Sequence, residues 1–147
     1  MNVFTYGSLM YPQVWDRVVR GRYRSAAALL PGIRRCALLG LSYPGAVPDA
    51  GAHIHGRVYF DVDAEDLARL DAFEASEYRR DDVVVSLPAE AGAAAPAQVY
   101  VYLDASRLEA RDWDAQRFER EHLAGFVDGH AGGQTGGYTG GQDGGRG

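Results

Sequence analysis

Ten of the chain's nineteen glycines crowd into its last nineteen residues, where positions 129–147 read GHAGGQTGGYTGGQDGGRG. A segment so rich in glycine cannot offset the entropy lost in ordering it. It is expected to be a disordered extension; a low-affinity assembly tail is the other reading. The fold must then be written in residues 1–128, which hold the other nine glycines, an ordinary share for a globular chain. A body of that length is one domain. It buries roughly two-thirds of the surface its unfolded chain would expose, enough for a core without staples.

That body excludes several classes of function. The net charge is −5, and the tail's Asp143 and Arg146 cancel, so the body carries it all. A phosphate-backbone binder needs the opposite sign, so no nucleic-acid partner is expected. All fifteen basic residues are Arg, which with the abundant Ala and Gly suggests a GC-rich genome. No window approaches eighteen apolar residues, so no membrane span is expected. The first residues, MNVFTYGSLM, lack the basic and apolar runs of a signal peptide. One cysteine, Cys36, can neither close an internal disulfide nor build a multi-Cys zinc site. These features predict a cytoplasmic protein.

The patterning predicts an α+β domain. Residues 2–5 read as a strand that stops at Tyr6-Gly7-Ser8, where glycine permits a turn. Pro12 fits a first helical turn, and Val14, Trp15, Val18 and Val19 follow at helical spacing. Residues 22–41 suggest two strands joined at Pro31-Gly32, the second from Arg35 to Leu41. Residues 42–52, with two Pro and two Gly, suggest a loop. From His53 to Phe60 the sequence alternates with period two, as a strand does. Asp63 is a plausible N-cap for a helix through Glu74, whose Leu67, Leu70 and Phe73 share a face. Residues 83–85 and 98–103 read as strands, and residues 88–96 as a loop between them. A last helix is expected over residues 112–127, with Trp113, Phe118, Leu123 and Phe126 as contacts. Six or seven strands with two or three short helices, not strictly alternating, favour a small mixed, mostly antiparallel β-barrel with flanking short helices.

Four constellations could carry chemistry. His53 and His55 share a strand face, but no carboxylate follows within reach, so no metal is expected there. Cys36 lies among apolar residues, and an unactivated buried thiol is inert. Ser8 lacks the G-x-S-x-G elbow of a hydrolase nucleophile; its hydroxyl is expected to be a hydrogen-bonding group. The last pairs the loop Tyr6-Gly7-Ser8-Leu9 with Glu74. A turn that exposes backbone N–H groups can hold an oxyanion or a carboxylate, and Gly7 would let a ligand approach the backbone closely. Glu74 closes an apolar helix face, where burial would raise its pKa and suit it to move protons. Alternatively, it is a helix-end carboxylate satisfied by Arg79 or Arg80.

Val3 to Leu9 (VFTYGSL), then Leu70 to Glu74 (LDAFE) and Tyr78-Arg79-Arg80, resemble the γ-glutamylcyclotransferase-like superfamily. The likeness is to its branch of bacterial and plant avirulence-induced-gene-like proteins and γ-glutamylamine cyclotransferases. Tyr43 to Pro48, Gly56 to Tyr59 and Val99 to Val101 fit as well, so it spans roughly residues 2–126. The resemblance implies a small mixed barrel with flanking helices. It implies a reaction in which a γ-glutamyl amide is cleaved by its own α-amine, releasing 5-oxoproline and a free amine, with neither metal nor cofactor. Tyr6, Gly7, Ser8 and Leu9 match the substrate loop and Glu74 the catalytic acid/base. Arg80 matches a position whose role is structural, although Arg79 and Arg80 could also meet a substrate carboxylate or simply be solvated. Leu9 stands where glutathione-type relatives tend to carry Asn, which favours the γ-glutamylamine branch. A pathway-specific deprotecting enzyme and a non-catalytic binding module on the same fold remain open.

Overall fold

The structure, a computed structural model, describes residues 1–125. The expected Gly-rich tail, and the expected contact Phe126 with Val127, lie outside the described residues. Five strands close a barrel: β1 (Val3–Thr5), β2 (Ser25–Cys36), β3 (Gly45–Tyr59), β4 (Tyr78–Leu87) and β5 (Ala93–Tyr102). Around it run β1-β3-β2-β4-β5, and closure joins β1 to β5. That joint is parallel, with Val3 opposite Gln98 and Phe4 opposite Val99; the other pairings are antiparallel. The expected mixed, mostly antiparallel barrel is what forms. Among the described residues, three named helices flank it: α1 (Pro12–Val18), α2 (Ala64–Glu74) and α3 (Ala115–Glu121).

Alternation along the strands builds two cores, because successive side chains point to opposite faces. Phe4, Ile54, Val58, Val99 and Val101 belong to one cluster, the barrel interior. Their neighbours Val3, Tyr59, Tyr100 and Tyr102 belong to the other, with Trp15, Leu70, Trp113 and Phe118 from the helices and the C-terminal segment. Trp15 stacks on Tyr59 with 3.6 Å between ring centroids, docking α1. Gly56 allows β1 and β3 to pack over the interior. A Cβ there would lie 2.2 Å from the Thr5 carbonyl oxygen.

The strand count and several boundaries differ from expectation. Residues 25–36 form one strand rather than two, since the chain runs on through Pro31-Gly32 instead of turning. The register slips there, from Pro31 opposite His53 to Ile33 opposite Pro48, so the extra residues lie in β3, and Gly32 takes a positive φ of 81°. Residues 37–41 form no strand; Leu38 contributes only a bridge to Leu108. Residues 45–52, expected as a loop, start β3, and Gly45 to Pro48 pair with the end of β2. Both β4 and β5 reach further than the patterning suggested, so residues 88–96 shrink to a 3-10 turn at Pro88–Glu90 and a short connection. The last helix begins at Ala115, later than expected, and runs to Glu121, with the Asp114 carboxylate accepting from the Arg117 amide at its start; residues 123–125 are helical again after a turn at His122.

Helix α2 differs from its expected pattern in the face it buries. Asp63 caps it as expected, accepting from the Asp66 amide at 2.8 Å. Its most deeply buried stripe, however, is Asp66, Leu70 and Glu74, four residues apart. Leu67 and Phe73 are only partly buried. Two carboxyls thus face inward from one helix, and each needs an explanation.

Candidate active site

The two carboxyls have different surroundings. Asp66 is tied into a structural knot. It accepts from the Arg20 and Gly21 amides at 2.9 Å each and from the Tyr23 hydroxyl at 2.6 Å, and it pairs with Arg69. Burial alone would raise its pKa. The hydrogen bonds from Tyr23, Arg20, Gly21 and Arg69 outweigh burial and hold it at about 2.

Glu74 sits at the other end of the stripe, 2 % exposed. The two arginines considered for it hold other carboxylates: Arg79 forks onto Asp81 at the surface, and Arg80 forks onto Asp71 and also contacts Gln98. Adjacent strand residues face opposite ways, so the two part company.

The neighbours of Glu74 are phenols. Burial raises Tyr6, Tyr78 and Tyr100 above the ordinary tyrosine pKa, and the Glu74 charge raises each further. Tyr6 belongs to the interior core while Tyr78 and Tyr100 belong to the outer one. Glu74 therefore lies where the two cores meet. Each phenol is held as a neutral donor: Tyr6 to the Tyr100 carbonyl at 2.5 Å, Tyr78 to the Pro44 carbonyl at 2.7 Å and Tyr100 to Asp71 at 2.7 Å.

The Glu74 charge is felt at Tyr6, which opens the loop between β1 and α1. Past Tyr6 the chain makes a 3-10 turn over Ser8–Met10, whose first bond runs from the Met10 amide to the Gly7 carbonyl at 3.0 Å. The Ser8 and Leu9 amides precede that bond, so the turn itself supplies them no acceptor. Gly7 has φ −122° and ψ −136°, so this turn does not use a left-handed glycine. The Leu9 carbonyl accepts from the Tyr59 hydroxyl at 3.2 Å. Ser8 is fully buried, and its Oγ has no hydrogen-bond partner among the described residues. That differs from the expected hydrogen-bonding role.

A cavity of about 330 Å³ opens beside this meeting point, lined by Asp71, Ala75, Tyr78, Arg80 and Tyr100. That suits a small ligand. Its wall includes two of the phenols near Glu74 and the residue after Glu74, but none of the loop residues Tyr6 to Leu9.

Ala75 turns the chain out of α2 with φ 61° and ψ −161°, a region that essentially only glycine adopts. Such strain costs on the order of 1–3 kcal/mol. Ala75→Gly is therefore expected to stabilise the protein by about 1 kcal/mol, after the extra freedom glycine adds to the unfolded chain. Thermal unfolding should show a Tm higher by roughly 2–5 °C; a lower Tm would contradict the strained backbone.

The remaining constellations offer no second reactive centre. His53 and His55 pack edge to face on β3 with 5.2 Å between rings, and no group of three or more metal-ligating side chains occurs among the described residues. Cys36 is fully buried, and burial pushes its thiol up against the pull of Arg34. No helix among the described residues is long and apolar enough to cross a membrane.

Sequence reasoning passed over Asp71, Tyr100 and Arg35. Asp71 and Tyr100 join the loop to α2, because the Tyr100 carbonyl holds Tyr6 and its hydroxyl holds Asp71. The signal was faint: Asp71 precedes Glu74 by three residues, on the same side of a helix.

Known proteins are similar to this chain. An AIG2-like protein D of Arabidopsis thaliana is 30% identical over 127 residues, covering 86% of this chain and 84% of that one. The solution structure of an Arabidopsis thaliana protein superposes with a TM-score of 0.67 at 29% identity, over 86% of this chain and 85% of that one. A γ-glutamyl cyclotransferase structure shares the fold, with a TM-score of 0.62 at 14% identity over 97% of this chain and 93% of that one. The family model described as γ-glutamyl cyclotransferase, AIG2-like, matches residues 3–115, from β1 through the barrel to the start of α3. The chain belongs to that AIG2-like γ-glutamyl cyclotransferase family.

Proposed function

We propose that the protein cleaves a γ-glutamyl amide by internal cyclisation, releasing 5-oxoproline and an amine, with Glu74 as the proton carrier. The observation that carries this reading is a carboxyl 2 % exposed, at the end of α2, whose charge reaches Tyr6 of the loop that matches the family's substrate loop. The three phenols around it are held far above neutrality by burial and by its own charge. They donate hydrogen bonds and do not titrate at working pH, which leaves Glu74 to move protons.

The chemistry needs little else. The substrate's α-ammonium gives a proton to the Glu74 carboxylate, and the freed amine attacks the γ-carbonyl carbon. A ring C–N bond forms and the carbonyl becomes an oxyanion, for which the Gly7, Ser8 and Leu9 amides are the proposed donors. Each such donor is worth roughly 3 kcal/mol in the transition state. The oxyanion then collapses, the original amide C–N bond breaks, and Glu74 returns its proton to the leaving nitrogen. The two protons lost by the ammonium match the two gained when the amine departs as ammonium, so no water is consumed. Holding the folded-back substrate supplies much of the acceleration, up to roughly 7–11 kcal/mol in the best intramolecular cases.

Leu9 in the loop favours γ-glutamyl amines over glutathione. The enzyme should release 5-oxoproline from at least one member of a panel of γ-glutamyl amines, detected by mass spectrometry. Measurable binding of such amides without any turnover would instead make the protein a binding module.

A further inference from the structure

A cation from β2 reaches the substrate loop. Arg35 Nη1 donates to the Tyr6 carbonyl at 3.1 Å, while Nε and Nη2 fork onto Asp112 Oδ1 and Oδ2 at 2.9 and 3.2 Å. The guanidinium carbon lies 5.3 Å from the centre of the Trp113 ring. Asp112 also accepts from the Trp113 amide at 2.7 Å, and the Trp113 indole donates to the Ser42 carbonyl at 2.8 Å. The Arg35 side chain is 18 % exposed. Fork, ring and anchored indole leave this guanidinium little room to leave the Tyr6 carbonyl. Its charge reaches the site, where it offsets part of the rise in the Tyr6 phenol.

The carbonyl that Arg35 holds belongs to the same planar unit as the Gly7 N–H. No peptide bond among the described residues is cis, so the two groups point in opposite directions. A cation fixed on the oxygen sets the orientation of that plane. It also draws electron density through the amide and makes the N–H a stronger donor. We infer that Arg35, clamped by Asp112, is a positioning residue that fixes and polarises the Tyr6–Gly7 peptide, so that the Gly7 N–H is presented to an anionic oxygen of the bound γ-glutamyl substrate. The identity of the substrate rests on the cyclotransferase reading; the peptide clamp does not. Lys would not replace Arg fully, because one ammonium cannot reproduce a fork to Asp112 and a third donor to Tyr6 at once.

The test uses the full chain with Arg35→Met, Arg35→Lys and Asp112→Asn. Asp112→Asn keeps the cation and loosens its hold, so it serves if Arg35→Met does not fold. Turnover of the best γ-glutamyl amide is measured beside the amide NMR spectrum and the Tm. Arg35→Met is expected to lower kcat by about 10–100-fold, the scale of a weakened oxyanion donor. Arg35→Lys and Asp112→Asn should fall between it and the wild type. The Gly7 amide proton should move upfield in the same order, which simple loosening of the C-terminal segment would not produce. Unchanged kcat in Arg35→Met, or lowered kcat with the Gly7 resonance in place, would overturn the inference. A wild type that releases no 5-oxoproline would instead sink the cyclotransferase reading, and the Gly7 resonance would still decide whether the clamp exists.

Discussion

Glu74→Gln is expected to fold and to lose 5-oxoproline release by about 10²-fold or more, the contribution of a general acid/base. Gln keeps the volume and the hydrogen-bonding reach of Glu at a position where almost no water enters. It cannot accept a proton from the substrate ammonium or return one to the leaving amine. The loss should therefore appear in kcat with Tm little changed. Full activity in a folded Glu74→Gln protein would remove Glu74 from the mechanism.

The largest expected loss of stability belongs to the other inward carboxyl. Asp66→Ala would strip acceptors from the Arg20 and Gly21 amides, the Tyr23 hydroxyl and Arg69 together. Breaking a buried, charged network of this kind costs about 3–5 kcal/mol. For a domain of this size that lowers Tm by roughly 10 °C or more. The pH dependence has a fixed sign. The Asp66 pKa is lowered on folding from 3.8 to about 2, so its stabilisation is complete above the unfolded value and is lost as pH falls from about 4 towards 2. The amount at stake is about 2 kcal/mol. Denaturant titrations at pH 7 and near pH 2 should show this share disappearing in the wild type, and it should be absent at both pH values in Asp66→Asn. A Tm for Asp66→Ala within a degree or two of the wild type would contradict the network.

What the sequence revealed depended on how local each cause was. The α2 helix, its Asp63 cap and the alternation of β3 from His53 onward are set by neighbouring residues, and they were legible. Tyr6 and Glu74 were singled out together through family resemblance rather than periodicity, since nothing local links positions so far apart in the chain. Pro31-Gly32 was misread as a turn because only the partner strand reveals that β2 continues beyond it. Residues 45–52 carry the prolines and glycines of a loop, yet they begin β3, and Gly45 to Pro48 pair along β2 beyond the shift of register. Asp66 drew no notice because its partners at Arg20, Gly21 and Tyr23 lie more than forty residues earlier. Arg35 drew no notice for the same reason. Its meaning comes from Tyr6 on one side and from Asp112, 77 residues away, on the other.

Oxygen isotopes test most directly whether the nucleophile arrives inside the substrate. A γ-glutamyl amide that the protein turns over is incubated in water enriched in ¹⁸O, and the products are weighed by mass spectrometry. Internal cyclisation predicts 5-oxoproline and amine in equal amounts, with no ¹⁸O in the 5-oxoproline. Glutamate carrying one ¹⁸O would mean that water is the nucleophile, and would contradict internal cyclisation.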